Sequence, residues 1–423
     1  MHKFYLTNNL GGGGTNVSRF VDYKQLFDLP NIGLLLNYYY LSGKFDIKIP
    51  FDTQLINTIN NYRNIADFLN AAKKYFAGNR RVSSGFMQNI EPTNINGYLL
   101  DNGCGNILRD LLQRNAYSSE SISKLIEPFH DFAEDLKFDF AIALDYAMKY
   151  TYKDDESSDI KLNKLWQELA GNKNINLSLL TTTLQLIKTK CYSHRIFAPL
   201  HGFNYCSFEE YLQKILETEK QTRASFDGFA LGGIADTRKL SNTVWNVPRI
   251  LSGELKTGFI ISKLCQTIQK NTNRSLHVLG AGNIYVLPFI INAGATSSDC
   301  HSAWRRASDG GFDKAKVLIP LLNDKLEFVN SKNSLKFIRI KDIDNTYNFD
   351  FGYPIADLKR LYLSKNNEDF YFAEILAFYA AIKQYDLLIR FTNTYPDYLS
   401  RLCKTADNEF NANYQVLSDS LNL

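Results

Sequence analysis

The chain has 423 residues, 45% of them hydrophobic and 22% charged, with a formal net charge of +4. This is globular composition, sufficient for a large core without disulfide or metal staples, and it excludes disordered, fibrous and disulfide-scaffold classes. No apolar run is long enough to span a bilayer and the first residues lack a basic-then-apolar signal pattern, so the expectation is a soluble cytoplasmic protein with no membrane partner.

Gly11–Gly14 open the chain with a flexible stretch. A phosphate-binding loop there would end in Lys-Ser/Thr, which is absent, so a turn or loop is the plainer reading. From about residue 95, short apolar runs alternate with helical patterns. The runs are Gly97–Leu100, Phe138–Leu144, Arg195–Leu200, Phe226–Leu231, Leu276–Leu279 and Asn292–Thr296. Amphipathic stretches lie between them at Ile122–Lys137, Phe208–Thr218 and Leu255–Lys270. Largely apolar strands alternating with helices predict a parallel sheet covered on both faces. These six units, with room for two more before residue 95, predict a (β/α)8 TIM-like barrel with insertions, occupying residues 1–330.

An α-rich C-terminal extension is expected over residues 331–423. It begins with a short strand at Phe337–Ile340 and the aromatic-rich Tyr347–Tyr353. A long helix follows over about Asp369–Phe391, stopped by Tyr395-Pro396, and then a polar, poorly ordered tail.

Residues able to do chemistry sit just after the predicted strands. Asp101 follows Leu100, Asp145 follows Leu144, His201 follows Leu200, Gly232-Gly233 follow Leu231, and Asp299 lies shortly after Thr296. A barrel brings all of these to its C-terminal mouth, where such folds build active sites. Taken alone, an Asp after a strand is usually a helix N-cap, and a lone histidine is as readily structural as functional.

Cysteines are six and scattered, which suits free thiols in a reducing compartment. Cys191, His194, His201 and Cys206 have the residue types of a metal cluster, but their spacing matches no standard finger, so no metal and no cofactor is expected. Arg305 and Arg306, with Lys314 and Lys316 nearby, form one basic group; Arg80 and Arg81, with Lys73-Lys74, form another. Phosphate-backbone contact and ordinary solvated charge are both open readings for them.

Six segments, in order, resemble the tRNA-guanine transglycosylase superfamily. Leu99–Asn106 (LLDNGCGN) resembles D-S-G-G-[FY]-Q, and Asp139–Tyr146 (DFAIALDY) resembles D-I-x-M-x-F-D-E. Phe197–Gly202 (FAPLHG) is similar to F-G-I-V-Q-G, and Asp227–Ala235 (DGFALGGIA) to D-G-[YF]-A-I-G-G-L-A. His277–Gly282 (HVLGAG) is similar to Y-L-M-G-V-G, and Gly294–Cys300 (GATSSDC) to G-[VI]-D-M-F-D-C. Asn37–Leu41 (NYYYL) is a weaker likeness to N-T-Y-H-L, and together the segments cover roughly residues 30 to 310.

The resemblance implies a pentosyltransferase that exchanges a base through a covalent glycosyl-enzyme ester. Asp299 would be the nucleophile and Asp101 the general acid/base. Asp145 and His201 would meet the edge of the guanine, and Asn102, Gly232, Gly233, Ile234 and Leu279 would frame the base. Arg305, Arg306, Arg80 and Arg81 would contact nucleic acid.

Departures from the family pattern move the implied substrate. The zinc site of the tRNA-acting members is replaced by Asn348–Pro354 (NFDFGYP), Gly105 stands where a base-stacking aromatic is expected, and His201 replaces a Gln. The segment Trp304–Gly310 only loosely matches T-R-x-A-R-N-G. The pattern is more similar to the DNA-guanine transglycosylase branch (DpdA). That branch implies guanine-containing DNA and a 7-deazaguanine such as preQ0 as partners, with accessory proteins or a homodimer open. Asn and Tyr are abundant, with 25 Tyr, a sign of AT-rich coding bias that would suit a phage gene evading restriction in a host cytoplasm. A tRNA-acting enzyme of the same chemistry and an inactive nucleic-acid-binding paralogue are the alternatives.

Overall fold

Eight parallel strands pair in chain order and close on themselves, β8 returning to β1. They are β1 (Lys3–Asn8), β2 (Ile32–Asn37), β3 (Tyr98–Asp101), β4 (Phe140–Ile142), β5 (Arg195–Leu200), β6 (Gly228–Leu231), β7 (Ser275–Val278) and β8 (Ser297–Asp299). The protein is a (β/α)8 TIM-like barrel. The structure, a computed structural model, describes residues 1–8, 29–42, 61–69, 95–113, 118–146, 156–234, 240–300, 302–308, 313–330, 334–344, 346–347, 349, 355–364, 367–404 and 409–422.

The helices after the first strands are α1 (Tyr38–Leu41), α2 (Cys104–Gln113), α3 (Ser119–Ser123), α4 (Ile126–Asp135) and α5 (Ser158–Lys190). Next come α6 (Tyr205–Thr222), α7 (Gly253–Thr272), α8 (Leu287–Asn292) and α9 (Ser302–Ser308). The extension adds α10 (Ile355–Leu363), α11 (Asn367–Thr394), α12 (Tyr398–Lys404) and α13 (Glu409–Leu421). Among the described residues, no helix is long and apolar enough to cross a membrane.

Alternation along the strands divides two cores. Residues facing the barrel axis include Tyr5, Leu35, Leu99, Phe140, Ile142, Phe197 and Ala230, packed as one inner cluster with Leu279 on top. Phe140 stacks on Phe197 at 4.6 Å. Residues of opposite parity, such as Phe4, Leu34, Leu100, Phe229 and Val278, join the larger core beneath the helices. Filling the axis with rings and branched chains makes the lower barrel solid, so chemistry is confined to its upper rim.

Two expected elements are corrected. The run Asn292–Thr296 is not a strand: α8 ends at Asn292, with a proline in its first turn, and β8 begins only at Ser297. A short apolar run cannot by itself distinguish helix from strand, and Phe289-Ile290 supplied the buried helical face instead. Nor is the C-terminal stretch a loose polar tail, because α12 and α13 lie there. Tyr414, Leu417 and Leu421 of α13 are buried, and α13 packs on α7. Their spacing of three and four puts them on one face, which a count of polar residues conceals.

The expected long helix is α11, ending at Thr394 just before Tyr395-Pro396. It braces the barrel wall. Tyr385 stacks on Phe4 of β1 at 4.1 Å, and Asp386 Oδ1 accepts both the backbone and side-chain N–H of Asn31. The strand at residues 337–339, β10, pairs antiparallel with β9 (Lys316–Leu318), so one small sheet spans residue 330.

Candidate active site

Three carboxylates enter the same mouth from β3, β8 and the segment after β4. In β8 the sequence Ser297-Ser298-Asp299 points its first and third side chains inward. Its middle hydroxyl faces outward to His2, whose Nε2 lies 3.0 Å from Ser298 Oγ. Burial drives the His2 pKa down to about 4, against the opposing hydrogen bond to Ala295. Its neutral ring therefore donates through Nδ1 to Ala295 O and accepts from Ser298, clamping the strand from behind.

Asp299 is buried and held by donors from two other strands. His277 Nε2 on β7 lies 3.1 Å from Oδ1, and the Gly280 backbone N–H donates to the same oxygen at 2.9 Å. Thr7 of β1 donates its hydroxyl to Oδ2 at 3.0 Å. Gly280 reaches this position with φ of +65°, which a side-chain-bearing residue adopts only with strain.

Asp101 ends β3 directly opposite Asn37 of β2. Asn37 does two jobs: Nδ2 donates to Asp101 Oδ2 at 2.8 Å while Oδ1 caps α1 through the Tyr39 N–H. Gly103 closes over this pair with φ of +69°, and a Cβ there would collide with Asn37 Oδ1. Burial first, then the charges of Asp299 and Asp145, lift the Asp101 pKa to about 7. Backbone N–H groups of Gly103 and Asn102 pull in the opposite direction without prevailing. A carboxylic acid poised near neutrality can give and take a proton.

Asp145 is buried beside this pair. Asn102 Nδ2 donates to Asp145 Oδ1 at 3.0 Å and to Ala143 O at 2.8 Å, while its own Oδ1 accepts the Cys104 N–H that starts α2. His201 Nε2 lies 2.6 Å from Asp145 Oδ2 but outside hydrogen-bond directionality, a close contact rather than an aligned bond. On the adjoining rim, a Cβ at Gly232 would touch Leu279 Cδ1 at 3.4 Å. Gly233 has φ of +74°, and Ile234 is fully buried. Asp299, Asp101, Asp145, Asn102, His201, Gly232 and Leu279 thus share one end of the barrel.

Other expected residues are placed differently. Arg306 of α9 lies over the Phe337 ring at 5.0 Å, with Nη2 3.8 Å from Glu254. Arg305 lies on the same helix, its side chain outside what the structure describes. Arg80 and Arg81, with Gly11–Gly14 and Lys73-Lys74, lie outside the described residues. The four residues with metal-ligand chemistry are split. His194 precedes β5 and contacts His130 and Glu134, whereas His201 follows β5, roughly 23 Å away at the ordinary strand rise. Among the described residues, no group of three or more His, Cys, Asp or Glu is arranged to hold a metal ion.

Four residues of the site were not expected as functional: Thr7, Asn37, His277 and Ser297. Parity could have found His277, since it lies two positions before Leu279 and so shares its inward face. Asn37 ends a strand in the same way as Asp101. Thr7 sits in a segment without a recognised motif, and only barrel closure brings it to Asp299.

Neither protein-family models nor curated proteins match this sequence.

Proposed function

We propose that this protein is a guanine transglycosylase that replaces guanine in DNA with a 7-deazaguanine such as preQ0. The observation that carries the reading is the pairing of a buried carboxylate, Asp299, with a part-buried one, Asp101, in one barrel mouth with unlike surroundings. Asp299 accepts three hydrogen bonds, and Asp101 is lifted to about 7. Unlike environments assign unlike roles, nucleophile and proton carrier.

Asp299 attacks C1′ of the nucleotide; the C1′–O bond forms as the C1′–N9 bond breaks, and the electron pair leaves with the purine. Asp101 delivers a proton to the departing base, since a purine anion is a poor leaving group. The incoming base then loses its N9 proton to Asp101 and attacks C1′. The ester bond breaks and its electrons return to Asp299, so the strand is never cut. Asp145 and His201 lie where they can meet the hydrogen-bonding edge of the base. A target inside a duplex must first be turned out of the stack to enter this mouth.

DNA is favoured over tRNA because Gly105 stands at the place of the base-stacking aromatic, exposed and, among the described residues, with nothing close to where a Cβ would lie. The test incubates the protein with labelled guanine or labelled preQ0 and, in parallel, guanine-containing DNA or tRNA. Label entering DNA alone is the expected result. Label entering tRNA alone would reassign the polymer, and label entering neither would overturn the reading.

A further inference from the structure

His277 is fully buried inside the barrel, ringed edge-on by Tyr5 at 6.0 Å and Phe140 at 5.8 Å. It is paired in register with Ser297 on the next strand. Its Nδ1 lies 2.9 Å from Ser297 Oγ and its Nε2 3.1 Å from Asp299 Oδ1. A buried histidine with both nitrogens partnered is often only structural. His2 is such a case, bonded to a backbone carbonyl and a serine. His277 differs in its acceptor, which is the carboxylate at the centre of the mouth.

We infer that His277 is a positioning residue for Asp299, gripping Oδ1 through Nε2–H while Ser297 fixes the ring tautomer from behind. The inference rests on the proposed transglycosylase reading. A carboxylate requires a donor, so Nε2 carries a proton, and Ser297 Oγ partners Nδ1 on the far side of the ring. Two N–H donors, from His277 and Gly280, converge on Oδ1, while Oδ2 accepts the Thr7 hydroxyl; in this proposal Oδ2 is the oxygen that attacks. After attack, Oδ1 is the ester carbonyl and keeps both donors. When the incoming base displaces the ester, the C1′–O electron pair returns to the carboxylate, and those donors stabilise the charge as it reforms. His277 therefore acts chiefly on release from the enzyme, the half of the cycle in which Asp299 is a leaving group.

The experiment compares wild type, His277→Leu, His277→Gln and Ser297→Ala for exchange of labelled guanine into DNA or tRNA. The fraction of protein trapped as a covalent adduct is measured alongside. His277→Leu is expected to slow exchange about 10- to 100-fold while enlarging the trapped fraction. His277→Gln, which restores an N–H donor, should recover most of the rate, with Ser297→Ala in between. A low-field imidazole N–H proton resonance should be present in wild type and absent in Asp299→Ala and His277→Gln. Unchanged exchange and adduct in His277→Leu would overturn the inference, as would a rate loss in His277→Leu that glutamine does not rescue. If wild type exchanges no base at all, the transglycosylase reading fails and the catalytic role falls with it. The imidazole resonance then still decides whether His277 holds Asp299.

Discussion

The two ends of this barrel use the same residue types to opposite effect. At the floor, where strands begin, several carboxylates latch onto backbone N–H groups. Asp139 accepts from Tyr98, Asp227 from Ile196 at 2.8 Å, and Glu219 from Phe226 at 2.8 Å, with Arg274 also bound at 2.6 Å. Glu134 shows the consequence. Burial opposes its charge, yet hydrogen bonds from Ser193 and His194 hold its pKa down to about 2. At the mouth, Asp101 has backbone and Asn37 donors too, but burial and two facing carboxylates push it up to about 7. Floor carboxylates stabilise strand entry; mouth carboxylates crowd one another and hold charge or proton in a shielded space. That division follows the general rule that barrel floors serve stability and barrel mouths serve chemistry.

The strongest way to break the contrast is Asp299→Ala. If Asp299 is the nucleophile, as proposed, its removal should lower base exchange about 10⁴-fold and eliminate any covalent adduct with nucleic acid. An adduct that persists in the variant, detected by denaturing gel or mass spectrometry, would show that another residue is the nucleophile.

Asp101→Asn is next, with exchange expected to fall about 10²- to 10⁴-fold through loss of proton transfer. In wild type, the protonated form needed to release the base declines as pH rises through about 7, so that limb of the pH–rate profile should vanish in the variant. Stability gives a second sign. The folded pKa of about 7 lies above the ordinary 3.8, so this group's contribution is fully present below about pH 4 and is lost as pH climbs to 7. The slope is at most about 1.4 kcal/mol per pH unit. Asp101→Asn should therefore gain stability relative to wild type between about pH 4 and pH 7, with the difference levelling off above that, measured by urea unfolding. A constant difference would mean that Asp101 behaves like a floor carboxylate.

The floor supplies the reciprocal test. Glu219→Ala strips the Phe226 N–H of its acceptor and leaves the Arg274 guanidinium without its partner. A loss of about 2 kcal/mol is expected, below the full value for a buried pair because Arg274 is partly exposed. Exchange kinetics of the folded fraction should be unchanged. A large kcat effect with no loss of stability would erase the distinction between the two ends.

Much of this layout was legible in the sequence, and the reasons are physical. Arg195–Leu200 was recognisable as a strand because a centrally paired parallel strand is apolar on both faces, and its boundaries match β5. Asp101 was legible because an abrupt change from Leu99-Leu100 to a carboxylate marks a strand's end. β8 was not, since Ser297-Ser298-Asp299 carries no apolar signal: its inward side chains bond His277 and its outward hydroxyl bonds His2. The bond from Thr7 to Asp299 spans 292 positions of chain and exists only because the barrel closes. Local pattern reports the strand, while closure decides which strand ends meet.

The smallest expected effect is at His201, and it tests the mouth's finer division between proton transfer and base recognition. His201 contacts Asp145 rather than Asp299, and Asp145 is tied through Asn102 to the loop that begins α2. Its position is therefore one step from the reacting atoms. His201→Gln keeps a side chain able to donate and accept hydrogen bonds while removing the possibility of a positive charge beside Asp145. Changing one such contact is worth about 1 kcal/mol, so KM for the incoming base should shift by no more than about tenfold with kcat nearly constant. Measuring guanine and preQ0 side by side sharpens the result, because a base-reading residue changes the ratio between them. Equal shifts for both would instead point to His201 acting through the placement of Asp145. A fall in kcat as steep as that of Asp101→Asn would place His201 among the groups that move the proton.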